Sequence, residues 1–270
     1  MCDSDTGSSR ETLMDMSLPW TMPEWPGYLL LAFAAATFIV AGIVKGTLGV
    51  GLPLVAVPML SFVLPPLTAI SLLVVPVLAS NLWQAVRAVE PRRALGRFKG
   101  LSAALFISTI VSVRLALSLP TELLNLLVAG SVVCAVVLMV YRPDSAIPPQ
   151  REGKLGVAVG LLAGAMGGVS SMTGPFIITY LMALRLPREA FIGGISIIYL
   201  FGMIPLYASL ALYGRLGLSE MVCSAIALLP MALGMSIGRR LRGLLSEGAF
   251  RNVLLGFLST LALLLIGKGV

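Results

Sequence analysis

GAMGGVSSMTGPFIITYLMALRLP, residues 164–187, is the stretch whose reading decides the fold. It lies in a run without charge from Leu155 to Leu184, yet it carries Gly164, Gly167 and Gly168, a Ser170-Ser171-Met172-Thr173 cluster and Gly174-Pro175. An uninterrupted membrane helix disfavours such a series, and a water-exposed loop would not be flanked by so many aliphatic residues. Composition decides the solvent. Of 270 residues 58% are hydrophobic and 11% charged, with a mean hydropathy of +0.99. So little polar surface cannot coat a water-soluble domain of this length, so the solvent is a bilayer.

Apolar runs long enough for a membrane helix, roughly 20 residues, are expected at 67–87, 98–118, 122–141, 189–213, 218–238 and 249–267. The regions 28–64 and 155–184 are too long for one span and are interrupted by Gly and Pro. The segment MCDSDTGSSRETLMDMSLPW lacks the basic and apolar regions of a signal peptide. It reads as part of a disordered tail, residues 1–27, with Trp20, Trp25 and Tyr28 suited to a membrane interface.

Basic residues set the orientation. The loop 87–99 carries Arg87, Arg92, Arg93, Arg97 and Lys99 and is expected inside the cell, as are the linker 142–154 and Arg239, Arg240 and Arg242. Both termini are then expected on the non-cytoplasmic side. The turn Arg185–Arg188 falls on the cytoplasmic side too, so 155–184 must enter the membrane and return. Its arms, 155–168 and 174–184, would rise only about 21 and 16 Å as helices, short of a hydrocarbon core of roughly 30 Å. The quoted stretch therefore reads as the tip of a re-entrant helical hairpin, with two full, tightly packed spans as the alternative, and 28–64 as its counterpart from the outer face.

Each half, 28–141 and 155–270, becomes a re-entrant or broken hairpin plus three transmembrane helices. The expected fold is thus an all-α integral membrane protein with an inverted-topology repeat. An offset of 122 residues places Ala41-Gly42 on Ala163-Gly164, Gly46 on Gly168, Pro53 on Pro175 and Leu64-Pro65 on Leu186-Pro187.

Broken backbone at membrane depth is tolerated only where protein or a water-filled cavity lines it, so the tips predict a cavity. The arms beginning at Gly51-Leu52-Pro53 and Gly174-Pro175 would present free N–H groups, and such helix starts attract anions. Thr47, Ser170, Ser171 and Thr173 add hydroxyls. Gly46, Gly49, Gly51, Gly167, Gly168 and Gly174 either admit a ligand to the backbone or serve helix packing. Lys45 is the only charge between Glu24 and Arg87, and an intramembrane lysine is by default a functional candidate. Asn81, Gln84, Ser196 and Tyr199 on neighbouring helices are candidates to complete the cavity. Arg114, near a helix end, is expected to snorkel.

The expected substrate-binding set is Lys45, Thr47, Gly49, Gly51, Pro53, Asn81, Ser170, Ser171, Thr173, Gly174 and Pro175. No catalytic or metal-binding residue is expected and no cofactor. The chain has no histidine, its twelve carboxylates fall in the tail or beside predicted loops, and Cys2, Cys134 and Cys223 form no metal or redox motif. This argues against a membrane enzyme, and the net charge of +7 marks loops rather than a nucleic-acid surface. The expected partners are a small anion and the bilayer, with oligomeric state left open. No carboxylate sits in a span to couple sodium or protons, whereas an inside-negative potential drives an anion outward with about 2.3 kcal/mol per charge per 100 mV. Export is therefore expected. The rival reading is a non-transporting membrane subunit that assists assembly of a partner complex.

The stretches AGIVKGTLGVGLPLVAVPML and AGAMGGVSSMTGPFIITYLMALRLP resemble the twin Gly-rich, Pro-ending motifs of the TauE/SafE sulfite exporter family, and the similarity runs from about Gly27 to Lys268. The resemblance implies a bacterial inner-membrane permease for sulfite, organosulfonates or related sulfur-containing anions. It places the family's glycines on Gly42, Gly46, Gly49 and Gly51, then on Gly164, Gly168 and Gly174-Pro175. The chain departs from the pattern at Leu52-Pro53, where the family tends to continue Gly-Gly. It departs again at Ser170, Ser171 and Thr173, often Gly or Ile.

Overall fold

The computed structural model describes residues 26–88, 90–140, 146–241 and 247–269, all helix and connecting turn. The expected tail with Trp20 and Trp25, Cys2, and Arg142 and Arg242 lie outside the described residues. The helices are α1 (Gly27–Leu48), α2 (Leu52–Leu60), α3 (Pro66–Ser71), α4 (Val74–Val86), α5 (Pro91–Arg97) and α6 (Lys99–Ala116). They continue with α7 (Thr121–Val140), α8 (Pro149–Ser170), α9 (Gly174–Ala183), α10 (Arg188–Leu212), α11 (Leu218–Leu241) and α12 (Glu247–Gly269). Among the described residues seven segments are long and apolar enough to cross a membrane: α1, α3 with α4, α6, α7, α8, α10 and α11. The chain is a multi-pass membrane bundle.

Proline and left-handed residues set the boundaries. Pro53, Pro66, Pro91, Pro149 and Pro175 stand in first turns, where a missing N–H breaks no helical bond. Gly49 at φ 83° ends α1 and donates its N–H to the Lys45 carbonyl at 2.8 Å, a left-handed helix stop. Between α3 and α4 the helix is interrupted at Leu72-Leu73, four residues before Pro76. There the Val75 N–H is taken by Ser224 Oγ at 3.0 Å.

Two features differ from expectation. The first arm of the second hairpin begins at Pro149 rather than Leu155, because the end of the polar linker is helical. Its 22 residues rise about 33 Å, enough to cross the hydrocarbon, so only the second arm, α9, is too short. The basic loop 87–99 also contains a helix, α5. Arg97, on its last residue, makes a bidentate ion pair with Glu152 of α8, with Nε–Oε1 at 2.6 Å and Nη2–Oε2 at 3.0 Å. That hydrogen-bonded partner holds the Arg97 guanidinium above its ordinary pKa. The last turn of α9 lies beside the start of α8: Tyr180 donates to the Glu152 carbonyl at 3.0 Å and the Ile147 N–H to that of Ala183 at 3.1 Å.

The helix boundaries recur at the offset found in the sequence. Gly27 and Pro149 start, Leu48 and Ser170 end, Leu52 and Gly174 restart, and Pro66 and Arg188 begin the next element. Packing follows the same correspondence. α1 packs on α11, and α8 packs on α6; α4 pairs with α10, and α7 with α12. Small residues set the close approaches. A methyl at Gly46 would lie 2.5 Å from the Met235 carbonyl oxygen, and one at Gly164 2.7 Å from that of Leu105. Ser108 of α6 donates to the Leu161 carbonyl of α8 at 2.7 Å. Without a hydrophobic force between helices in lipid, such backbone approach is what holds them.

Gly46→Leu and Gly164→Leu are expected to lower stability by about 1–3 kcal/mol or more by forcing the helices apart. Gly130→Ala on α7, with open space around it, should hold or raise it. Thermal unfolding of the purified chain in detergent distinguishes the two outcomes.

Candidate functional site

The ends of α1 and α8 and the starts of α2 and α9 converge on one cavity of ≈ 30 Å³, measured as space for the centre of a water-sized sphere. A single water needs about 10–15 Å³ on that measure, so the cavity has room for about two. Its lining includes Lys45, Gly51, Pro53, Asn81, Ser171, Thr173, Gly174 and Pro175. The residues around it come from both halves of the chain.

Lys45 is 2% exposed and donates from Nζ to Asn81 Oδ1 at 3.0 Å. It therefore does not snorkel to an interface, and among the described residues no carboxylate pairs with it. Arg114 is exposed in the last turn of α6. Ser171 caps α8 in the left-handed region, φ 60°, with its N–H on the Gly167 carbonyl at 2.7 Å and its hydroxyl toward Met203 Sδ at 3.6 Å. Thr173 and Gly51 occupy the positions just before α9 and α2, and neither helix start is capped by a side chain. Tyr199, from α10, brings a buried hydroxyl without a hydrogen-bond partner.

The other expected residues lie just outside the lining. Thr47 Oγ1 contacts the Val44 carbonyl at 2.8 Å and that of Ile43 at 3.0 Å. Ser170 is turned back onto the Met166 carbonyl at 2.8 Å. Gly49 offers its carbonyl to Gln84 Nε2 at 3.2 Å, while Gln84 Oε1 accepts from Ser196 at 3.1 Å. Gln84 and Ser196 thus brace the first tip from α4 and α10. Gly46, Gly167 and Gly168 face Met235, the Thr173 methyl and Ser112 respectively, so their small size serves packing.

Sequence reasoning passed over Met139, Met172 and Met203, which bring three thioethers to the cavity. Met172 stands inside the quoted cluster. Met139 and Met203 lie on largely apolar helices, where periodicity reveals the inward face poorly.

The Lys45–Asn81 contact predicts a double-mutant result. Asn81→Leu leaves the ammonium buried without a partner and should cost about 2–4 kcal/mol. Adding Lys45→Met removes the charge and should recover most of that loss. Thermal unfolding of the single and double variants measures the coupling.

A family model described as "Sulfite exporter TauE/SafE" matches residues 34–265, and the chain belongs to that family. Its proteins are transporters rather than enzymes, so this is a multi-pass membrane transporter. No curated protein and no solved structure matches the chain.

Proposed function

We propose, from that membership and this cavity, that the chain exports a small anion across the cytoplasmic membrane, with the two helix breaks forming its binding site. The observation that carries the reading is the meeting, around one cavity, of two tips 122 residues apart in sequence, with a buried lysine that no carboxylate neutralises among the described residues. The proposed substrate is sulfite, which the family's description names, or an organosulfonate or a related sulfur-containing anion. Lys45 supplies charge; Asn81 orients the ammonium; Ser171, Thr173 and the backbone around Gly51, Pro53, Gly174 and Pro175 supply hydrogen bonds to oxyanion oxygens. Thr47, Gly49 and Ser170 shape the tips.

The halves are related as an inverted repeat in this reading. Support comes from helix boundaries that recur at one offset and from packing pairs that map onto each other when the halves are exchanged. An odd number of crossings per half inverts the second half relative to the first. The contact of the end of α9 with the start of α8 supports a return to the side of entry. The basic residues of α5 and of the end of α11 mark the cytoplasmic face, with both termini opposite.

Export follows from charge. No coupling carboxylate lines the cavity, and the membrane potential favours outward movement of an anion. The rival reading, a non-transporting assembly subunit, needs packing glycines but no buried ammonium or free hydroxyl.

Proteoliposomes loaded with sulfite test both. Lys45→Met is expected to reduce efflux by on the order of tenfold or more, with the protein still folded. Ser171→Gly is the sharper variant: it relieves a left-handed serine costing about 1–2 kcal/mol, so stability should hold or rise while efflux falls. Unchanged efflux in both variants, or uptake strictly driven by sodium or protons, would refute the export reading.

A further inference from the structure

We propose that the cavity selects singly charged over doubly charged anions, with the bound anion serving as the counter-ion of Lys45 and turning an apolar or soft face to the methionines. The inference rests on the reading of this cavity as the anion site.

Counting charge leads there. The lining holds one charged side chain, Lys45. Its hydrogen-bond partner, Asn81, is neutral, and an ammonium has three donors, so two remain for a ligand. Tyr199 adds a buried hydroxyl without a partner, a donor that brings no charge.

The helix ends add donors but almost no net charge. A helix start carries roughly +0.5 and a helix end roughly −0.5 of an elementary charge. Here each start sits beside an end: α1 stops at Leu48 and α2 starts at Leu52, α8 stops at Ser170 and α9 starts at Gly174. The opposed dipoles nearly cancel at each tip. Their N–H groups still bind oxygen at short range, while the long-range field is left to Lys45.

The remaining wall cannot solvate a second charge. Met139, Met172 and Met203 face the cavity with Leu52, Val77 and Ile178, and an uncompensated charge buried among such groups is strongly disfavoured. Thioethers do accommodate a methyl group or a polarisable atom. The favoured ligand therefore has oxygens at one end, one net charge, and an apolar or soft remainder.

Methanesulfonate and sulfate isolate the point, since a methyl in the first replaces a charged oxygen in the second. Calorimetric titration of the full chain in detergent, at neutral pH and matched ionic strength, should show methanesulfonate binding tighter by on the order of tenfold or more. Lys45→Arg should keep that preference and Lys45→Met should abolish binding of both. Sulfate binding as tightly as methanesulfonate would overturn the charge selection while leaving an anion site in place. Selective binding that survives Lys45→Met would overturn the role of Lys45. Binding of neither anion to the wild-type chain would overturn the anion-site reading itself.

Discussion

The peptide groups released at two helix breaks must be satisfied inside an apolar bundle, and the arrangement of the other helices follows from that constraint. A lone N–H or C=O in hydrocarbon costs several kcal/mol, so each break needs polar partners, whether distant or local. The first takes Gln84 onto the Gly49 carbonyl, with Ser196 behind it. The second turns Ser170 and the Ser171 N–H back onto carbonyls of α8. These bonds satisfy the carbonyls at the ends of α1 and α8. The residues before α2 and α9 give their first turns no side-chain cap, and residues of both turns line the cavity. On the proposed reading, structure and binding share one origin in the broken backbone.

Position follows from close packing. Each long arm ending in a break is held by the opposite half, α1 by α11 and α8 by α6, through faces where side chains are missing or small. A tip that packed only within its own half would be placed independently of the other. Here the exchange of partners makes the location of each tip a property of both halves, and the two breaks meet because of it. Gly46, Gly167 and Gly168, which look like part of a ligand cradle in the sequence, act one layer further out.

Much of this was legible before any coordinates. The helices at 98–118, 122–141 and 189–213 are observed within two residues at each end, because an apolar run bounded by charge or proline has few alternatives in lipid. The offset of 122 residues was legible through Gly and Pro, the residues that determine backbone shape. The length of α8 was not. PPQREGK reads as linker by composition, yet Pro149 starts a helix, and Glu152 finds Arg97 across space. Nor was the methionine wall legible, because inward and lipid-facing positions of a largely apolar helix look alike in sequence.

The comparison of the two tips carries the argument one step further. At the repeat offset Gly49 corresponds to Ser171, and both end a long helix in the left-handed region, at φ 83° and 60°. Glycine adopts that conformation freely, whereas a serine there costs about 1–2 kcal/mol. The first tip shows that glycine meets every backbone requirement of the turn, so nothing in the turn itself calls for serine. What differs is position. Ser171 lines the cavity and Gly49 does not. A residue that the backbone disfavours, held where it lines the cavity, fits our proposal that the anion's oxygens bind on that side.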